Sequence, residues 1–371
     1  MPEIALVLAV VLVACANGAN DNFKGVATIY GSDTTSYRVA LAWATITTFA
    51  GSIAGLLLGW RIVAAFSGSG IVPDALTHDP HFLTAAGLGA GATVLFASFK
   101  GLPISTTHAL LGSLIGAGLV ASHGEIRIVS LGRGFLLPLL ASPIVALGSA
   151  WVLYPMLRAA RVTLGVERRM CLCVGHAIEP IERAADGTAV FHSTGIKLSV
   201  HQEAACRERY LGSVIGFDAQ RVLDGLHFLS AGLVSFARGM NDTPKIAALL
   251  ISARIAGVAV AFPVVAATMA AGGILGARRV AETMSHRITS MNHGQAFTAN
   301  FVTATWVLLA SHFGLPVSTT HVSTGSIVGV GGATGRAQWG TLAQIAAAWI
   351  TTLPLAAILA AALYALTGAS S

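Results

Sequence analysis

The chain has 371 residues, of which 54% are hydrophobic and only 10% charged, with 22 Lys or Arg against 16 Asp or Glu. A soluble domain usually carries about 25% charged residues, so a soluble fold of this length could not cover its surface. The formal charge of +6 comes with no dense basic patch and no aromatic stacking pattern, which excludes a nucleic-acid partner.

Residues 1–17 form an apolar run broken only by Glu3, long enough to enter a hydrocarbon core about 30 Å thick. The run lacks a basic leader and continues into Asn20 and Asp21 rather than a cleavage site, so it reads as a retained helix. Asp21 lies close to membrane depth, where a carboxylate is costly unless it meets a cation or a partner. Asn20 adds an amide oxygen. Carboxylate plus amide oxygens suit sodium, and a lone Asp can also carry a proton. A helix N-cap, or an ion pair of Asp21 with Lys24 and of Asp242 with Lys245 three positions on, is the structural alternative.

A second apolar run covers 39–60, and His78-Asp79-Pro80-His81 reads as a solvated loop. Residues 83–99 and 109–120 then flank Gly101-Leu102-Pro103-Ile104-Ser105-Thr106-Thr107-His108. Pro103 lacks an N–H and biases Leu102 away from helix, while Ser and Thr are strong N-caps. The motif predicts a new helix beginning inside the membrane. Its free N–H groups, hydroxyls and positive dipole end suit an oxyanion. A Pro-kinked helix whose hydroxyls bond back to their own backbone is the alternative. His108 follows the threonines and reads either as an anion contact or as a satisfied buried histidine.

After another apolar run at 134–157, residues 158–222 are rich in charge and hold nine Lys or Arg. They read as a small water-exposed insert between two membrane halves, 1–157 and 223–371, with the basic residues placing it on the cytoplasmic side. Residues 188–200 alternate as a strand does, with a hairpin turn expected at His192-Ser193-Thr194-Gly195. Cys171, Cys173, His176, His192, His201 and Cys206 offer metal donors, but Cys-x-Cys is not the spacing of structural zinc sites. A reduced insert without metal is preferred, and four cysteines make no disulfide framework.

The second half repeats the first. Gly18-Ala19-Asn20-Asp21-Asn22-Phe23-Lys24 returns as Gly239-Met240-Asn241-Asp242-Thr243-Pro244-Lys245, offset by 221. The Gly-Leu-Pro motif returns as Gly314-Leu315-Pro316-Val317-Ser318-Thr319-Thr320-His321, offset by 213, with seven of eight residues identical. The flanks 301–313 and 322–330 and a closing run at 339–366 are again apolar. Two motifs recurring in the same order identify an internal duplication. Paired interrupted segments in corresponding places point to a transporter's binding site. Gly112, Gly116 and Gly118, with Gly325, Gly329 and Gly331, fit helices that approach closely.

These paired motifs resemble the inorganic phosphate transporter family, and the resemblance covers both membrane halves. It implies an all-α polytopic fold of two inverted repeats with broken helices, to which the sequence adds the small insert with strand-like patterning. It also implies phosphate uptake coupled to sodium or protons. By the same resemblance Asn20, Asp21, Asn241 and Asp242 take the cation-coupling role. Ser105, Thr106, Thr107, Ser318, Thr319 and Thr320 take the phosphate. The family's usual run after Asn-Asp is Val-Ala-Asn-Ala, whereas here lysines stand at 24 and 245.

The expected partners are therefore inorganic phosphate, a sodium ion or proton, and the bilayer of a cell membrane (the inner membrane in a bacterium). No cofactor is expected, no metal beyond a sodium at the Asn-Asp motifs, and no enzymatic activity. No P-loop is present to use ATP. A sulfate or other oxyanion permease of the same fold stays open, as do a passive anion channel and homo-oligomerisation. An enzyme using Asp21 and Asp242 on a lipid phosphate ranks last, for want of a nucleophile–base pair.

Overall fold

A computed structural model describes residues 2–164, 170–183, 189–202, 210–286 and 291–368, with side chains described outside 170–218. Among the described residues, ten helices of 16 or more residues carry the fold. In the first half these are α1 (Pro2–Asp21), α2 (Tyr37–Leu58), α3 (Pro80–Phe99), α4 (Thr106–Ala121) and α5 (Leu137–Thr163). The second half supplies α6 (Ala219–Ser252), α7 (Val258–Gly276), α8 (His293–His312), α9 (Thr319–Thr334) and α10 (Trp339–Gly368). Six helical spans among the described residues are long and apolar enough to cross a membrane.

Polarity runs opposite to that of a soluble protein. Leu57 and Leu275 are 82% and 83% exposed, while Lys245 and Arg238 are each 1% exposed. Lipid accepts the leucines at no cost, and the charges are gathered where they can pair.

The chain separates into two compact units, one of Met1–Tyr154 with Phe228–Ser371 and one of Pro155–His227. In the second, three antiparallel strands, β1 (Met170–Arg183), β2 (Ala189–Gln202) and β3 (Tyr210–Asp218), pair in the order β2-β1-β3. The turn expected at 192–195 is not a turn, because β2 runs straight through it. Instead His176 faces Ile196 and Ile178 faces Ser193, so Thr194 and Gly195 carry one extra residue as a bulge. Glycine suits a bulge as well as a turn, which is how the pattern misleads. The side chains of Cys171, Cys173, His176, His192 and His201, and all of Cys206, lie outside the described residues.

In the larger unit, close helix packing depends on glycines in reciprocal pairs. A Cβ on Gly18 would stand 2.0 Å from the Met269 carbonyl oxygen, and one on Gly272 2.0 Å from that of Cys15, so α1 and α7 meet backbone to backbone. The matching contacts join α6 to α2, where Gly239 faces the Thr48 oxygen at 2.1 Å and Gly51 faces that of Phe236 at 1.9 Å. All four glycine–carbonyl contacts are related by the offset of 221 found in the Asn-Asp motif. Each half's first helix thus packs on the other half's second. Gly112 and Gly116 likewise meet Leu353 and Ala357 on α10, and Gly325 and Gly329 meet Pro143 and Leu147 on α5.

One surface expectation changes. His78 is not merely solvated: its Nδ1 lies 2.6 Å from the Ser252 carbonyl oxygen, and Asp79 caps α3 by accepting from the His81 amide at 2.9 Å.

Candidate functional site

Both Gly-Leu-Pro motifs break a helix in the same way. Past the end of α3, Gly101 takes φ +68°, and past the end of α8 Gly314 takes φ +70°, a left-handed geometry that glycine adopts freely. The Leu102 amide then donates to the Ala97 carbonyl at 2.9 Å, and the Leu315 amide to Ala310 at 2.8 Å, which closes each helix end. Beyond the prolines, Ser105 and Ser318 take extended backbone and accept from the His108 and His321 amides at 3.1 and 3.3 Å. These caps start α4 at Thr106 and α9 at Thr319, as the sequence predicts.

The two Asn-Asp motifs differ in backbone. α1 stops at Asp21 and resumes as a single tight turn, Lys24–Val26, before the short helix Ala27–Gly31. α6 instead continues through Asn241 and Asp242 with Pro244 inside it. Side chains nonetheless converge alike. Asn20 donates to the Leu102 carbonyl and to Ser98 Oγ, each at 3.0 Å, and accepts from the Ile104 amide at 3.1 Å. In the other half Asn241 donates to the Val317 carbonyl at 3.3 Å and accepts from Ser311 Oγ at 3.3 Å. Each asparagine therefore pins the unwound segment of its own half.

The lysines join the halves. Lys24 Nζ bonds to Asp21 Oδ1, and lies 2.9 Å from Asn20 Oδ1, 2.7 Å from the Ile104 carbonyl and 2.6 Å from Thr320 Oγ1. Lys245 Nζ lies 3.1 Å from Asp242 Oδ1, 2.7 Å from the Val317 carbonyl and 2.8 Å from Thr107 Oγ1. Each ammonium thus takes a carboxylate and a carbonyl from its own half and a threonine hydroxyl from the other. Thr107 and Thr320 pass their own protons to the Val317 and Ile104 carbonyls, at 3.3 and 2.9 Å. The i,i+3 ion pairs weighed as alternatives to cation binding are present.

Two residues that the motifs do not contain, Asn17 and Arg238, complete the cluster. Asn17 donates to Asp21 Oδ2 at 2.9 Å, to Thr106 Oγ1 at 3.0 Å and to Asp242 Oδ2 at 3.5 Å, so one amide spans both acids. Thr106 also donates to Asp21 Oδ2, at 3.1 Å. Arg238 donates to Asn17 at 3.2 Å and to Asn22 and Thr48 at 3.1 and 3.0 Å. Its Nε is buried with no hydrogen-bond partner among the described residues. Asn17 and Arg238 are equivalent positions at the offset of 221, and that spacing is the signal by which the sequence could have found them. The equivalent pair His108 and His321 also meets, with ring centroids 4.5 Å apart. In both pairs, residues at equivalent places of the two halves touch each other.

All ten candidate residues are thus gathered into one core, with Thr319 the most exposed of them at 6%. Lys100 is outside it, exposed and set over the Phe96 ring. Among the described residues, the buried charged side chains are Lys24, Arg238 and Lys245 against Asp21 and Asp242, a formal excess of one positive charge. Two helix N-termini, their hydroxyls and a net cation make a setting for an anion.

The pattern described as the phosphate transporter family matches residues 17–360. A probable low-affinity inorganic phosphate transporter of Rhizobium meliloti is 32% identical over 97% of this chain and 97% of its own length. A putative phosphate permease of Pyrococcus horikoshii is 27% identical, covering 95% and 94%. The chloroplastic inorganic phosphate transporter 2-1 of Arabidopsis thaliana is 29% identical, covering 92% and 68%. Among solved structures, one titled as the sodium-dependent phosphate transporter superposes with a TM-score of 0.77, covering 99% of both chains at 22% identity, and so shares the fold.

Proposed function

The chain belongs to the phosphate transporter family, and from that premise we propose that it is a secondary transporter carrying inorganic phosphate, coupled to a sodium or proton gradient. It is a multi-pass membrane protein and a transporter rather than an enzyme. The carrying observation is the meeting of two capped helix N-termini, α4 and α9, around three buried cations and two carboxylates. Ser105, Thr106 and Thr107 with Ser318, Thr319 and Thr320 are the proposed phosphate ligands. Asn20, Asp21, Asn241 and Asp242 are the proposed coupling residues. The two halves are read as inverted repeats around this site, a reading supported by the reciprocal contacts at fixed offset.

Labelled phosphate uptake into proteoliposomes tests the proposal, with pH, sodium and sulfate varied separately. Saturable uptake that stops when the ion gradients are collapsed is expected. Flux that neither saturates nor responds to a gradient would make the protein a passive anion channel. Uptake of sulfate in preference to phosphate would make it an oxyanion permease of other specificity.

Thr107→Ala and Thr320→Ala give a finer check. Each removes a hydroxyl from a charged site, where such a bond contributes about 1.5–3 kcal/mol. Apparent phosphate affinity should therefore fall roughly tenfold or more in each variant. Unchanged half-saturation concentrations in both would take these threonines out of the site.

A further inference from the structure

The lysine ammonium groups are held in the way an alkali cation is held. Around Lys24 Nζ stand a carboxylate oxygen (Asp21), an amide oxygen (Asn20), a hydroxyl (Thr320) and a main-chain carbonyl (Ile104). Lys245 Nζ is met by a carboxylate (Asp242), a hydroxyl (Thr107) and a carbonyl (Val317). Both carbonyls belong to the unwound segments ahead of α4 and α9, and unwound carbonyls beside broken helices are the usual ligands of a coupled ion in transporters. An ammonium has three protons to give, so the shell around Lys24 exceeds its donor count.

Position and sequence agree. The two lysines are 3% and 1% exposed and sit at equivalent places at the offset of 221. Each takes its oxygens from both halves, so the shell is complete only when the halves are together.

We infer that Lys24 and Lys245 occupy with their own ammonium groups the two positions at which coupling sodium ions would bind, so that anion transport by this protein does not depend on sodium. The inference rests on the proposed transport function and narrows it: of the two coupling ions, sodium is removed. A sodium ion directed to the same oxygens would meet a fixed like charge at hydrogen-bond distance, and burial at 3% and 1% exposure weakens the screening between them. The acids are already neutralised by tethered cations, and the formal charge left over is that of Arg238. One positive charge complements one monovalent anion, which fits the singly charged form of phosphate.

The test has two arms. In the first, phosphate uptake by wild-type proteoliposomes is measured with sodium replaced by choline at constant pH gradient and membrane potential. Rates within about twofold are expected, whereas a sodium-coupled carrier should lose about tenfold or more. Uptake that requires sodium overturns the inference. Absence of uptake in every ionic condition counts against the transport reading alone.

The second arm needs no transport. Binding of radioactive sodium to purified wild-type protein should not saturate, and a saturable site overturns the inference. In the Lys24→Asn/Lys245→Asn variant the oxygens remain and the ammonium groups are gone, so saturable sodium binding should appear. A folded double variant that binds none also overturns it. If that variant fails to fold, the wild-type measurements still decide.

Discussion

Asp21→Asn should be among the most damaging single substitutions in the protein, costing about 3–5 kcal/mol of stability, whereas adding Lys24→Gln to it should recover most of the loss. Breaking a buried pair from one side leaves a buried charge without a partner, and that residual charge carries the cost. Lys24 keeps only neutral oxygens from Asn20, Ile104 and Thr320 in the single variant. Asn17 and Thr106, which donate to Asp21 Oδ2, also lose part of their acceptor. Resistance to unfolding by SDS in mixed micelles would measure both proteins. Should the double variant be no more stable than Asp21→Asn alone, the pair would not be coupled as the distances imply. Asp242→Asn with Lys245→Gln is the companion cycle. It should be milder, because the Lys245–Asp242 contact is the looser of the two at 3.1 Å.

Gly18→Leu should leave little folded protein, and Gly18→Ala should cost about 1–3 kcal/mol, the usual penalty of overpacking. Adding even a Cβ puts carbon 2.0 Å from the Met269 carbonyl and 2.8 Å from the Gly273 nitrogen, both backbone atoms that no rotamer change can clear. Gly272→Ala, on the other side of the same contact, should behave alike. Gly148→Ala serves as the control, since nothing lies within 4 Å of its added Cβ. Yield of monodisperse protein in detergent, together with its thermal midpoint, would separate the two cases. A Gly18→Ala protein as stable as Gly148→Ala would mean that α1 and α7 do not pack this closely.

Legibility in the sequence follows the range of the interactions. The Gly-Leu-Pro motifs could be read because their physics is local: a glycine, a proline and a serine within five positions end one helix and begin another. The acids were visible for the same reason, as charges beside apolar runs. The lysines were legible only as far as their i,i+3 pairs with the acids. Lys24 is completed by Ile104 and Thr320, 80 and 296 positions away, and no local pattern records such a shell. Arg238 went unread because its equivalent is Asn17, and a duplication is recognised by residues that stay the same. In the insert, Gly195 fits a turn and a bulge equally, and only the pairing partner decides between them.

The exchange of helices between halves also sets a schedule for biosynthesis. Gly18 is made about 250 residues before the backbone it packs against, at Met269. At about 5–20 residues per second, α1 and α2 wait on the order of 10–50 s in the bilayer before their partners exist. During that interval Asp21 and Lys24 have each other, three positions apart, and first-half partners such as Asn17 and Asn20, while Thr320 is still to come. Carried three positions apart, the two charges can enter the membrane as a neutral unit. The nascent first half then holds a self-neutralised but uncovered surface, and an early stop before α7 would strand it there.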